Sequence, residues 1–221
     1  DYLRSRAKCN IYRKKGKAYT MKSIIVTGGT RGLGLAITRQ AIKDGYKIVA
    51  IGRTLSTHLE ELIGQHSERV VFEQYDFSEL DGIHDFVIRI NKIHGRPWAL
   101  VNNAAMGKDG VLATLHDSDI SQLIKVNIEA PILLTKYMLR SMLINRAGRI
   151  INISSIIAST GFNGLSVYAA TKAALSGFTR SLAREVGKAN ITVNTVAPGY
   201  METDMTIALQ GEKLESIKRR S

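Results

Sequence analysis

The sequence predicts an α/β domain built on a doubly wound parallel sheet, and three observations predict it. Short apolar runs rich in β-branched residues alternate with longer stretches of helical periodicity, the pattern of strands joined by helical crossovers. A glycine cluster follows the first of these runs, where a helical pattern opens. The chain has 221 residues, 44% of them hydrophobic, with three prolines and no Pro/Ser-rich linker. That is enough for one sizeable core and gives no sign of a second domain.

Candidate strands fall at Ile24–Val26, Lys47–Ile51, Val70–Tyr75, Ala99–Val101, Arg149–Ile153 and Thr192–Val196. Each is short and rich in β-branched or apolar residues, as strands of a covered parallel sheet are. The first runs into Thr27-Gly-Gly-Thr-Arg-Gly-Leu-Gly34, after which Leu35, Ala36, Ile37 and Ile42 continue at helical spacing. Strand, glycine turn and helix N-terminus together form a phosphate cradle: the glycines let the backbone approach, and the unpaired N–H groups favour negative charge. The fifth run, Gly148-Arg-Ile-Ile-Asn-Ile-Ser-Ser155, ends on two hydroxyls. Carboxyl ends of parallel strands are where such sheets bind ligands. Helices are expected at Ile128–Leu143 and Val167–Val186, the first with Leu134, Met138, Leu139 and Met142 at core or subunit-contact spacing.

The stretch Ser166-Val-Tyr-Ala-Ala-Thr-Lys172 puts Tyr168 and Lys172 four residues apart, on one helix face. Ser155 lies thirteen residues before the tyrosine. A free phenol titrates near ~10, and a nearby cation lowers that value. Ser155 to hold a carbonyl oxygen, Tyr168 to protonate it and Lys172 to tune the phenol make a carbonyl-reduction site. Any one of these residues alone reads as ordinary surface; the glycine turn gives them joint meaning.

Cofactor choice is read at the end of the second strand, where an NAD site places an acidic residue on the ribose. Here Gly52 takes that place, followed by Arg53, with Arg31 inside the glycine turn. Two guanidiniums and no carboxylate suit a 2′-phosphate, so the expected cofactor is NADP(H).

Half of the net charge of +12 sits in residues 1–20, which carry seven Lys or Arg and one Asp. This segment has no apolar core, so it is no secretory signal. Upstream or non-native sequence, a mitochondrial presequence and a nucleic-acid-binding arm remain as readings of it, the first preferred, with residues 21–221 as the reductase domain. Nucleic acid is not an expected partner. No apolar stretch reaches the ~20 residues that span a bilayer. The lone Cys9 suits a reducing compartment: the cytoplasm, or the mitochondrial matrix if residues 1–20 are a presequence. Five scattered histidines lack ligand spacing, and no metal is expected.

Together these residues resemble the short-chain dehydrogenase/reductase family, in the compact branch with Thr-Gly-x-x-x-Gly-x-Gly spacing. Further matches are Asn102-Asn103-Ala104, Asn127 and Pro198-Gly199, and the likeness runs from about Met21 to the last residues. Within it, Ser181 to Asn194 and Ala197 to Met205 look most like 3-oxoacyl-[acyl-carrier-protein] reductases. The resemblance implies a single-domain Rossmann-like fold and NADPH-dependent reduction of a 3-oxoacyl thioester, free or on acyl carrier protein. Reductases of other small ketones, sugars or steroids share the framework, and a truncated, inactive dinucleotide-binding or interaction protein is the contrasting reading.

By the same resemblance the cofactor lies against Gly28, Thr30, Arg31, Gly32, Leu33 and Gly34 in the turn. Arg53, Asp76 and Phe77 line its adenosine half, Asp76 with helix capping as an equal reading. Asn103, Ala104 and Ala105 follow, Ala105 standing where the family has glycine. Pro198, Gly199, Met201 and Thr203 complete the set with Tyr168 and Lys172. Ser155 and Tyr168 meet the substrate, and Asn127 holds a water behind the lysine. A homodimer is implied, or a homotetramer where a seventh strand is present; the chain as given reads as lacking that last strand.

Overall fold

A computed structural model describes residues 11–14 and 17–201. β1 (Ile11–Lys14) and β2 (Lys17–Thr20) form an antiparallel hairpin within the basic N-terminal run, where the sequence reading puts no strand. The remaining strands are β3 (Ser23–Thr27), β4 (Lys47–Gly52), β5 (Val70–Gln74), β6 (Ala99–Asn102), β7 (Gly148–Ile153) and β8 (Ile191–Val196). They are the six expected runs, each end within a residue of its expected place. All pair in parallel, in the order β5-β4-β3-β6-β7-β8.

The helices are α1 (Gly32–Lys43), α2 (Thr57–Gln65), α3 (Ile83–His94), α4 (Asp117–Ile124), α5 (Ala130–Asn145), α6 (Ile157–Thr160) and α7 (Ser166–Val186). α5 starts later than Ile128 because Lys125–Glu129 winds as a wider π turn, a feature often found at functional sites. None of these helices is long and apolar enough to cross a membrane.

Strand alternation divides the core between the two faces. Ile24, Val26, Ile48 and Ala50 pack with Leu35 and Ile42 of α1 and Leu59 and Leu62 of α2. Ile25, Val49 and Ile51 face the other way, toward Phe86 and Ile90 of α3, Leu134, Met138 and Met142 of α5, and Leu182 of α7. Both methionines are fully buried, so they are core and not subunit contacts. Each such side chain is worth roughly 1.5–3 kcal/mol against exposure, so one sheet with two covered faces anchors every helix that carries the site.

The strand order reverses between β3 and β6, which opens a crevice beyond their carboxyl ends. The glycine turn after β3, Asn103–Ala105 after β6 and Ser154–Ser155 after β7 all emerge along this edge. α7 brings Tyr168 and Lys172 to it.

Candidate active site

The glycine turn is fastened before any ligand enters. Gly29 N–H donates to the Ile51 carbonyl at 3.1 Å, tying the turn to the end of β4. The Asn103 side-chain amide donates to the carbonyls of Thr27 (2.9 Å) and Gly28 (3.2 Å). Thr27 Oγ1 accepts from the N–H groups of Asn103 and Ala104, both at 2.9 Å. Asn103 and Ala104 therefore hold the turn's shape. Gly28 sits at φ +63°, and a Cβ on Gly34 would lie 2.0 Å from the Gly28 carbonyl oxygen. Only glycine fits there, and the turn packs backbone against backbone at the mouth of α1. A dinucleotide's pyrophosphate suits this cradle, whose free N–H groups open the helix.

At the end of β4, a Cβ on Gly52 would lie 2.7 Å from Thr30 Cγ2. Thr30 is buried and would have to move before any carboxylate could stand there. An acidic side chain at this position would collide with Thr30 as it packs here, and the neighbouring Arg31 and Arg53 are exposed. Arg31 is the N-cap residue of α1, and the Arg53 carbonyl accepts from Gln74 Nε2 at 2.9 Å.

On the opposite side of the crevice, Ser155, Tyr168 and Lys172 converge. Tyr168 is half-buried, which pushes its phenol above the usual range, and a hydrogen bond with the Ser155 hydroxyl pulls it back in part. Lys172 is 3% exposed; burial lowers its ammonium to about 8. Its Nζ donates to the Ile153 carbonyl at 2.9 Å and stands 5.7 Å from the Tyr168 ring centroid. This runs against the expectation that Lys172 depresses the Tyr168 pKa: desolvation prevails, and one of the three ammonium donors is taken by the end of β7. At neutral pH the phenol keeps its proton, as an ordinary tyrosine does, so the acid form is the one present. The neighbouring Ser154 is turned inward, its Oγ donating to the Lys172 carbonyl at 2.8 Å, which leaves Ser155 as the serine facing the phenol.

Asn127 is buried in the π turn and acts as a clamp. Its Oδ1 accepts from Met106 N–H and its Nδ2 donates to the Met106 carbonyl, each at 2.9 Å. Nδ2 also donates to Thr171 Oγ1 at 3.2 Å, and Thr171 Oγ1 donates to the Tyr168 carbonyl at 2.7 Å. The loop after β6 is thus tied through Asn127 and Thr171 to the turn of α7 that carries the phenol. Thr171 went unnoticed in the sequence, where its one signal is its place between Tyr168 and Lys172. Thr171→Val, which keeps the shape and removes the hydroxyl, should lower kcat about tenfold with little change in KM for cofactor, and Thr171→Ser should restore it. Equal kcat in both variants would leave Thr171 with packing alone.

The remaining expected residues are less concentrated. Asp76 Oδ1 accepts from Ser78 N–H at 2.9 Å, which fixes a turn after β5; the next helix starts only at Ile83 with Gly82 as its N-cap, so Asp76 does not cap it. Phe77 turns its ring into the core, 5.2 Å from that of Tyr75. Ala105 is half-buried beside Ala104, and Pro198 accepts from Ile156 N–H at 3.0 Å, joining the loops after β7 and β8. Gly199 and Met201 follow at that edge; Thr203 lies outside the described residues. Among the described residues no group of three His, Cys, Asp or Glu side chains could hold a metal.

A model of the short chain dehydrogenase family matches residues 22–213. The chain is 35% identical over 198 residues to 3-oxoacyl-[acyl-carrier-protein] reductase FabG of Salmonella typhimurium, covering 89% of this chain and 80% of that one. It is 37% identical over 198 residues to carbonyl reductase family member 4 of Xenopus tropicalis, covering 89% and 82%. Among solved structures, a short-chain dehydrogenase from Streptomyces avermitilis superposes with a TM-score of 0.80 at 29% identity, over 85% of this chain and 69% of that one. ElxO with NADP bound gives 0.78 at 30% identity, over 83% and 75%. The chain belongs to the short-chain dehydrogenase family and is an oxidoreductase acting on CH–OH groups.

Proposed function

We propose that the protein reduces the 3-oxo group of an acyl thioester to a 3-hydroxyl with NADPH, on an acyl chain delivered by an acyl carrier protein. The observation that carries the chemistry is the Ser155 hydroxyl bonded to a half-buried, protonated Tyr168 beside the buried Lys172. The choice of NADPH is supported by Gly52, which packs too close to Thr30 for a carboxylate, and by the two arginines beside it. The thioester follows from relatives named for that reaction.

When bound, NADPH supplies the hydride. Ser155 Oγ donates to the carbonyl oxygen and stabilises the charge developing there. Tyr168 Oη gives its proton to the same oxygen. Lys172, fixed by the Ile153 carbonyl, offers its remaining ammonium protons toward the phenol and the cofactor ribose. Asn127 and Thr171 keep that turn of α7 in register with the loop after β6. Incubation with NADPH and a short 3-oxoacyl thioester should give 3-hydroxyacyl thioester, one molecule for each NADPH oxidised. Equal turnover of simple ketones, or none of the thioester, would overturn the substrate assignment.

The assembly proposed is a homodimer through α5 and α7, or a tetramer, with Leu143 and Ile144 leaving apolar surface at the end of α5. The carrier is proposed to dock at Arg146 and Lys188. These exposed residues meet at one corner, where Arg146 Nη2 donates to the Lys188 carbonyl at 3.1 Å. Reversing both to glutamate should raise KM for carrier-bound substrate about tenfold and spare a small thioester analogue. The same rise for both substrates would remove this docking surface.

A further inference from the structure

A cleft of about 320 Å³ lies between α1 and α2, away from the crevice that holds Ser155 and Tyr168. Its volume is within the range of small-molecule sites. Ile42 and Leu62, both buried, contribute its apolar floor. Arg39 and Lys43 line it from α1, His58, Glu61, Gln65 and His66 from α2 and its C-cap, and Arg69 from the turn before β5. Three permanent cations and two imidazoles thus surround a single carboxylate.

Among the described residues, the side chains of Arg39, Lys43, His58 and His66 have no hydrogen-bond or ion-pair partner. Asp44, the next carboxylate along, accepts from Gln40 at 3.0 Å. Arg69 is anchored, its Nη1 donating to the Ile42 carbonyl at 3.5 Å, which leaves its other guanidinium protons for the cleft. Lys43 in the last turn of α1 offsets the helix dipole, which accounts for one cation but not for the convergence of three. Arg39 and Lys43 are moreover like charges one helical turn apart, an arrangement that costs stability until an anion joins them.

We propose that this cleft is a second ligand site, one that binds a small molecule through two or more phosphate groups. Guanidinium forks and ammonium groups around an apolar floor are the chemistry that phosphates select. The α1 helix would then serve phosphate at both ends: its N-terminus at the glycine turn, and its last two turns at this cleft.

Inorganic tripolyphosphate titrated into the full chain, followed by backbone amide NMR, tests the site. Amides of Thr57–Gln65 should shift with saturation, separately from any response at Gly28–Gly34, so failure of the cofactor reading would not mask the result. Arg39→Glu with Lys43→Glu should weaken the α2 response at least tenfold and leave the glycine-turn response unchanged. Glu61→Gln, which removes the one carboxylate, should tighten it about threefold. Adenosine triphosphate run in parallel assigns the site to nucleotides if it binds more tightly, and to bare polyphosphate if it does not. Unmoved α2 amides at millimolar tripolyphosphate, the same shifts with sodium chloride at matched ionic strength, or unchanged affinity in the double variant would overturn the proposal.

Discussion

Tyr168→Phe should abolish reduction while leaving NADPH binding within about twofold of the parent, since only the phenolic proton is lost. The ring is packed on α7 by burial, and that packing does not depend on the hydroxyl. Burial holds the phenol above its ordinary pKa, and at neutral pH it carries the proton to be donated. Loss of a general acid costs ~10²–10⁴-fold, which places kcat of the variant near the limit of detection. Stopped-flow reduction rates and NADPH fluorescence titration read the two effects separately. Turnover above about a tenth of the parent rate would remove Tyr168 as the proton donor.

Replacing Arg31 and Arg53 together with alanine should weaken NADPH much more than NADH. Both arginines flank the end of β4, where Gly52 is pressed against Thr30 and no carboxylate competes for the ribose. A charge-assisted hydrogen bond contributes about 1.5–3 kcal/mol, so the ratio of the two dissociation constants should change at least tenfold. Equal losses for both cofactors would mean that the arginines act on the turn itself and not on the 2′-phosphate.

Much of this molecule is legible in its sequence, for identifiable reasons. The central strands announce themselves as apolar runs such as Ile24–Val26, covered on both faces, and the edge strands such as Thr192–Val196 by β-branched residues between helical stretches. The glycine turn is legible because Gly34 meets the Gly28 carbonyl too closely for any side chain. Tyr168 and Lys172 are legible because helical spacing alone puts them on one face.

What stays hidden depends on burial and on contacts between distant segments. Lys172 reaches the Ile153 carbonyl and loses its hydration, so the expected tuning of the phenol gives way to desolvation. Phe77 follows a strand, but nothing in its neighbours says whether the ring faces crevice or core. The π turn at Asn127 is a change of backbone hydrogen bonding that side-chain spacing does not announce. Thr171 becomes informative only when Asn127 is seen to donate to it. The cleft between α1 and α2 exists only where two separate helices meet the turn before β5.

The most direct test of the account follows deuterium from the transferable position of labelled NADPH into the product of a short 3-oxoacyl thioester, by mass spectrometry. One deuterium on the new carbinol carbon for each NADPH consumed, with no labelled product from Tyr168→Phe, is the expected result. Label absent from that carbon, or labelled product formed as fast by Tyr168→Phe, would contradict it.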